Sequence, residues 1–232
     1  MIEYNIVMMK IWRHVFVLLF VIFSLASCAY YPHLTDIPLI NKKGDTRIEG
    51  GVTLPAPSAH ATVSHGLTDK IAIQGAGTIG GDDTYDIQGA VGLFKNLKNQ
   101  GVIELYSGFS YGYGYAYKDS NPGSLYGNYQ VYFTQFNYGK INGLFANRDY
   151  GFGLKLGYYH ASMNDRSYYD YGLHSIRKFD GLLIEPVFMF RFGGKRLKFQ
   201  TEMGGCWIFL FNNEKKLPFF PLNMGIGLSY SL

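Results

Sequence analysis

The sequence predicts an all-β fold, an antiparallel up-and-down β-barrel of ten strands, with eight strands as the alternative. Three observations predict it. The 232 residues include 29 Gly, 20 Tyr and 18 Phe. Apolar residues recur at every second position over most of the chain, and no stretch shows the 3.6-residue period of an amphipathic helix. The alternation runs to the end, where Leu222, Met224, Ile226 and Leu228 share one face.

Residues 1–27 are typical of a secretion signal. Lys10 and Arg13 precede an apolar run that is too short for a membrane-spanning helix, and small residues follow it. The sequence LASC at residues 25–28 is similar to the bacterial lipobox, which implies cleavage before Cys28 and its acylation with fatty acids such as palmitate. An ordinary signal peptide with a nearby cysteine is the alternative.

The remaining chain is predicted to have two parts. Residues 28–45 contain two prolines and no clear period, which predicts a lipidated N-terminal tether. Residues 46–232 form the barrel. Removing Lys10, Arg13 and Glu3 with the signal lowers the net charge from +4 by 1, to +3. That charge is too small for a nucleic-acid partner, and Cys206 is predicted to be a small packed residue.

Alternating segments separated by turn residues predict the ten strands. They are about 46–54, 58–66, 70–79, 85–95, 101–113, 127–138, 149–160, 180–192, 197–211 and 220–232.

One face of the later strands is almost purely apolar, whereas the other carries glycine and charge. In the seventh strand Tyr150, Phe152 and Leu154 alternate with Gly151 and Gly153. This pattern favours a transmembrane barrel with an apolar face toward outer-membrane lipid and a polar lumen. Buried charges need partners, so we expect mutual neutralisation among the lumen charges Arg47, Glu49, Glu104, Lys155, Glu185, Arg191, Lys198 and Glu202.

The connections predict an orientation. Short links such as LTDK and GGKR fall on the side of the termini, and the longest links fall on the other side, as in bacterial outer-membrane barrels. Tyrosine is abundant in or beside these longer loops. It suits either a site for a glycan or protein ligand or an aromatic girdle. The residues are Tyr113, Tyr115, Tyr117, Tyr126, Tyr168, Tyr169 and Tyr171.

The last strand carries a second signal. Asn223, Gly225, Leu228 and Tyr230 match the C-terminal pattern read by the outer-membrane barrel insertion machinery, although the chain ends in Leu232 and not in an aromatic residue. The order of lipobox, YYPHLTDIPLINKKGDTRIEGG, VSHGLTDKIAIQG and alternating strands resembles an uncharacterised family of outer-membrane β-barrel lipoproteins of Bacteroidota. The resemblance implies a barrel that is lipid-anchored and membrane-spanning in the outer membrane, and it supplies no catalytic residues.

Two glycine motifs lack the context that their chemistry requires. GAGTIG at residues 75–80 precedes another strand and no helix that would hold a pyrophosphate. GFSYG at residues 108–112 lies within an alternating run, where no nucleophile elbow forms. The histidines show no ligand spacing and the cysteines form no pair. We therefore predict no cofactor and no metal site.

One element does suggest chemistry. The sequence HAS at residues 160–162 is similar to the His-x-Ser element of outer-membrane lipid A deacylases, in which Ser attacks an acyl ester with His as base. His160 and Ser162 share a face at the outer end of a strand, and Asp165 or Asp170 is the candidate acid that orients the histidine. The similarity ends after the serine.

Three functions follow. The favoured one is an outer-membrane barrel lipoprotein without catalytic activity, with a lumen filled by side chains because the barrel is narrow, and with loops for surface interaction or envelope structure. The alternatives are a lipid A-modifying acyl hydrolase that uses His160 and Ser162, and a soluble lipid-anchored β-barrel binding protein.

Overall fold

The protein folds as a closed antiparallel barrel of ten strands, which confirms the predicted fold and excludes the eight-stranded alternative. The computed structural model describes residues 35–54, 57–81, 83–117, 124–142, 147–166, 175–212, 217 and 221–232. The strands are β1 (Thr46–Leu54), β2 (Ser58–Gly66), β3 (Ile71–Gly80), β4 (Tyr85–Asn96), β5 (Gly101–Tyr117), β6 (Ser124–Lys140), β7 (Arg148–Arg166), β8 (Ser175–Gly193), β9 (Leu197–Gly205), β10 (Trp207–Leu210) and β11 (Leu222–Ser231). β9 and β10 are halves of one barrel strand, interrupted at Cys206.

Strand pairing closes the barrel, and within the described residues every strand except the short β10 has a partner on both sides. Each strand from β1 to β8 pairs with the next, and β8 pairs with both β9 and β10. β11 then closes the circle, because Ile226 lies opposite Thr201 of β9 and opposite Val52 of β1. Closure satisfies the backbone groups that an edge strand would expose.

The two ends of the barrel differ in the length of their connections. The proximal end carries β1's first residue, β11's last residue and the links at 67–70, 97–100, 141–147 and 194–196. The distal end carries the two longest links, 167–174 and 211–221, and the extended ends of β5 to β8, where Tyr115 still pairs with Tyr126. Pairing continues beyond the predicted ends of these strands because each extended strand has an extended neighbour.

Residues 35–45 enter the barrel from the proximal end, and we call them the plug segment. The sequence predicts a tether here, and the structure differs: Ile37, Leu39 and Ile40 are fully buried inside the barrel. Periodicity could not reveal this, because an extended segment that is surrounded on all sides has no preferred face. Its aliphatic side chains instead lie at the positions where the barrel wall leaves space for them.

Glycines of the barrel wall provide that room. A Cβ atom built on Gly151 would lie 2.9 Å from Ile37 Cγ2, and one on Gly139 would lie 2.7 Å from Leu39 Cδ2. A Cβ on Gly66 would meet Ile40 Cγ2 at 3.0 Å. The plug segment therefore packs against these inward glycines, and larger residues at the same positions would displace it.

The distal half of the interior holds a different filling, an apolar cluster that we call the distal core. Cys206 is buried there and forms no disulfide with a described residue, at the position where β9 ends and β10 begins. Tyr129 and Tyr159 stack within it, with ring centroids 6.0 Å apart. Its other members are Leu125, Val131, Phe133, Ala161, Met163, Phe179, Leu183, Ile208 and Leu217.

Gly151→Val should destabilise the barrel by about 1–3 kcal/mol, since the new side chain collides with Ile37. Equilibrium unfolding followed by tryptophan fluorescence measures the change. Gly89→Val is the matched control, because a Cβ there meets nothing within 4 Å, and we expect less than about 0.5 kcal/mol. Adding Ile37→Ala to Gly151→Val should recover part of the lost stability. If the destabilisations of the two substitutions are strictly additive, Gly151 does not pack against Ile37.

Candidate functional site

The outward face of the barrel is an apolar belt. Ile226 is 50% exposed and Phe188 61% exposed, both on the outward face, on β11 and β8, which are separated by β9. Large apolar side chains repeat in this way around the circumference, whereas soluble proteins rarely expose a contiguous apolar patch of more than a few hundred Å². Further members are Ile48, Val52, Val63, Ile73, Ile87, Val91, Leu105, Phe109, Phe136, Leu156, Leu182, Phe190, Phe199, Met203, Phe209, Met224 and Leu228.

Aromatic side chains flank the belt at both ends. At the distal end the rings of Tyr85 and Tyr113 lie 6.2 Å apart, and those of Tyr115 and Tyr126 lie 6.3 Å apart. At the proximal end Phe192 contacts its neighbours Phe190 and Phe199, with ring centroids at 5.8 and 5.3 Å. The tyrosines thus lie beside the belt, as an aromatic girdle requires.

All eight of the charges that the sequence assigns to the lumen lie inside the barrel and are buried. Two of the expected mutual pairs form. Arg191 pairs with Glu49, and Lys155 Nζ lies 3.3 Å from Glu185 Oε2. The remaining four, Arg47, Glu104, Lys198 and Glu202, take other partners.

Asp149, which sequence reasoning missed, pairs with two of the cations. Lys198 Nζ donates to Asp149 Oδ1 at 2.6 Å, and Arg47 Nη1 lies 3.5 Å from Asp149 Oδ2. Asp149 is the first residue of the predicted seventh strand and is absent from the predicted lumen charges. Asp149 lies six positions before the inward Lys155. This even spacing places both side chains on the same face of the strand, and it was the signal in the sequence that Asp149 faces inward.

The plug segment binds the wall through its backbone. Arg191 Nη2 donates to Ile37 O at 2.7 Å, and Gln135 Nε2 donates to Asp36 O at 2.6 Å. The Ile40 amide donates to Glu104 Oε1 at 2.7 Å. Among the described residues, Glu104 forms no ion pair, and it instead accepts a hydrogen bond from the plug backbone.

Three carboxylates meet where the plug segment contacts β1 and β9. Those of Asp36, Glu49 and Glu202 can each offer an oxygen within 4.8 Å of the others. Arg191, fully buried, donates to Glu49 and Gln200 as well as to the plug. Burial raises the pKa of the Asp36 carboxyl well above its usual range, and the nearby Glu49 raises it further. In this cluster the negative charge of the carboxylates and the positive charge of the Arg191 guanidinium compensate each other.

The glycine motifs lie in strands, in keeping with the missing helix context. Residues 75–80 belong to β3, which pairs with β2 and β4. Ser110 is buried on the inward face of β5, where its Oγ donates to Asp86 Oδ2 at 2.5 Å. A serine held in this way is not presented to a substrate outside the barrel.

His160 forms a polar pair on the outward face of the distal end. Its Nδ1 lies 2.8 Å from Asp180 Oδ1, which also accepts a hydrogen bond from the Tyr158 hydroxyl at 2.5 Å. Both members of the pair are part-exposed, at 38% and 40%. A surface pocket of ≈ 250 Å³ borders Asp180 and is also lined by Phe211.

Ser162 lies on the same outward face, one alternate position beyond His160. The structure gives it no hydrogen bond to the His160 ring within the described residues. The acid that orients His160 is Asp180, which corrects the expectation of Asp165 or Asp170. Asp165 points inward and pairs with Arg177 at 2.5 Å, while Asp170 is outside the described residues. Asp180 is the first residue of the predicted eighth strand. Its position opposite His160 depends on the register between two strands, which the sequence analysis did not predict.

The insertion-signal residues occupy β11. Asn223 and Gly225 face the interior, Leu228 faces outward and Tyr230 is half-buried. Cys28 lies outside the described residues, as do Tyr168, Tyr169 and Tyr171.

Arg191→Met should destabilise the barrel by about 3–5 kcal/mol, since it leaves Glu49 buried without its cation. Denaturant titration measures the loss. Arg191→Met with Glu49→Gln should recover stability relative to the single variant, because the uncompensated charge is gone. Equal losses in the two variants would show that the ion pair is not what the arginine contributes.

Among the described residues, no helix is both long and apolar enough to cross a membrane. No protein-family model matches this chain, and no curated protein is similar to it.

Proposed function

We propose that this chain is an outer-membrane β-barrel lipoprotein without catalytic activity, with a filled lumen and distal loops that serve surface interaction or envelope structure. The apolar belt carries the proposal. A barrel whose outward face is apolar, whose interior is charged and whose edges are closed is suited to lipid as its solvent. In water the same face would drive aggregation.

The lipid anchor and the location are part of the proposal. Acylation of Cys28 would add a second attachment to the outer membrane beside the belt, and the lipobox supports it. Outward Leu228 and inward Asn223 place the C-terminal pattern on a strand that pairs with two neighbours, which suits recognition by the barrel insertion machinery. Membership of the Bacteroidota family that the sequence resembles belongs to the same proposal.

The filled interior supports a role that does not conduct solutes. The plug segment fills the proximal half and the distal core fills the distal half. The distal loops then remain as the surface available to a partner, and Tyr113, Tyr115 and Tyr126 stand at their bases. Tyrosine provides a large contact area at low entropic cost, which suits a glycan or protein ligand.

Membrane integration is tested by removing the anchor. Cys28→Ala should leave the protein in the membrane fraction after alkaline extraction, because the belt and not the acyl chain retains it. Immunoblotting of pellet and supernatant measures this. Release of the variant into the supernatant would favour the soluble lipid-anchored alternative.

A charge at mid-depth tests the belt directly. Ile226→Arg should cost about 2–4 kcal/mol in a bilayer, because the guanidinium faces hydrocarbon. Ile176→Arg is the matched control, since Ile176 is also outward and is 67% exposed but lies at the distal end of β8, where about 0–1 kcal/mol is expected. Unfolding in lipid vesicles measures both. An equally small loss of stability in both variants would contradict the assignment of Ile226 to a lipid-facing position.

The His160–Asp180 pair favours a second candidate, acyl-ester hydrolysis. Asp180 holds Nδ1, which leaves Nε2 to take a proton from Ser162 while its Oγ attacks an ester carbonyl. The alcohol then leaves with that proton, and water releases the fatty acid from the serine. The substrate would be an acylated lipid of the outer leaflet, beside the distal end of the belt.

Mass spectrometry of lipid A from cells that overproduce the protein tests this candidate. Loss of an acyl chain with the wild type, abolished by Ser162→Ala and reduced at least about a hundredfold by Asp180→Asn, would establish it. Unchanged lipid A with the wild type would leave the non-catalytic function.

A further inference from the structure

The proximal end carries a surplus of exposed positive charge. Its connections and the exit of the plug segment present Lys43, Lys70, Lys95, Lys98, Lys195 and Arg196, all exposed. Asp69 is the one exposed acid that we find at this end among the described residues. The distal end is balanced in the same part of the chain, with Asp83 and Asp180 against Arg177 and Lys178.

A polar pocket opens at the same end. It has a volume of ≈ 320 Å³ and lies between the 97–100 link and residues 141–142. The side chains of Asn41, Asn96, Gln100 and Asn142 line it. Carboxamides both donate and accept hydrogen bonds, which matches the hydroxyl and acetamido groups of a sugar.

The backbone around the pocket is held in an uncommon conformation. Gln100 has φ 62° and Asn142 has φ 50°, both in the left-handed region. Asn96 Nδ2 also donates to Asn41 O at 2.5 Å, which ties the pocket wall to the plug segment.

We propose that the proximal end binds an anionic glycan, a sugar polymer that carries carboxylates. A sugar unit occupies the carboxamide pocket, and Lys95, Lys98 and Lys140 beside it attract the carboxylates. The inference rests on the proposed function for its setting, since the proximal end of an outer-membrane barrel faces the periplasm, where the cell-wall glycan lies.

A glycan fits this end better than a membrane surface does. Lys43, Lys70, Lys98, Lys195 and Arg196 lie on links beyond the strand ends, at the barrel opening, and Lys95 and Lys140 lie at the proximal ends of β4 and β6. Lipid headgroups meet the flank of a barrel and not its opening. Attraction of headgroups also requires no pocket of neutral carboxamides. Charge provides attraction and salt dependence, and the pocket provides the hydrogen bonds that distinguish a sugar.

Co-sedimentation of the detergent-solubilised full-length mature protein with purified peptidoglycan sacculi tests the proposal. Binding should weaken as salt increases and when the sacculi carboxylates are amidated. Lys95→Gln with Lys98→Gln and Lys140→Gln should weaken binding at least about tenfold, since three charges are lost together. Asn142→Gly keeps the left-handed backbone and should also weaken binding, through the pocket.

The matched control changes the net charge by the same three units at the distal end. Lys178→Glu with Asn128→Asp does so and should bind sacculi as the wild type does. Equal binding by the proximal triple variant and the wild type would overturn the proposal. So would binding of nanodisc-embedded protein to phosphatidylglycerol vesicles without binding to sacculi, which would assign the charge to a lipid surface. Protein that resists alkaline extraction yet ignores sacculi overturns this inference alone.

Discussion

Arg191 is the side chain on which the proximal half of the barrel depends. It has no exposed surface, and its guanidinium donates to the plug backbone at Ile37, to Glu49 of β1 and to Gln200 of β9. A buried guanidinium is tolerated only where partners replace water, so three elements distant in sequence must assemble together. The planar, multidentate shape of arginine suits this task better than the single ammonium of lysine.

The proximal and distal halves of the barrel interior are filled in different ways. A ten-stranded barrel encloses more space than its smaller inward residues occupy, and empty apolar space costs packing energy. The distal half is filled by large side chains such as Tyr129, Tyr159 and Phe179. The proximal half has glycine at several inward positions and receives the plug segment there. Inward glycines also occur in the distal half, where Gly112 and Gly157 lie against the side chains of the distal core.

The outward surface divides the molecule into functional zones. The belt of aliphatic and aromatic side chains separates a balanced distal end from a positive proximal end. The His160–Asp180 pair lies at the distal margin of the belt, and the carboxamide pocket lies at the opposite opening. A narrow barrel with a filled interior leaves its two ends and its flank as the places where other molecules bind.

Local pattern in the sequence determined the ten strands, the inward phase of all eight interior charges and the outward phase of Ile226, His160 and Ser162. It could do so because alternation along a strand is a property of neighbouring residues. Only the tertiary structure decided that Arg47 and Lys198 share Asp149, that Asp180 orients His160 and that residues 35–45 lie inside the barrel. These contacts depend on strand register and depth around a closed circle, which join residues far apart in the chain. The plug also left no periodic signal, because it is surrounded on every side.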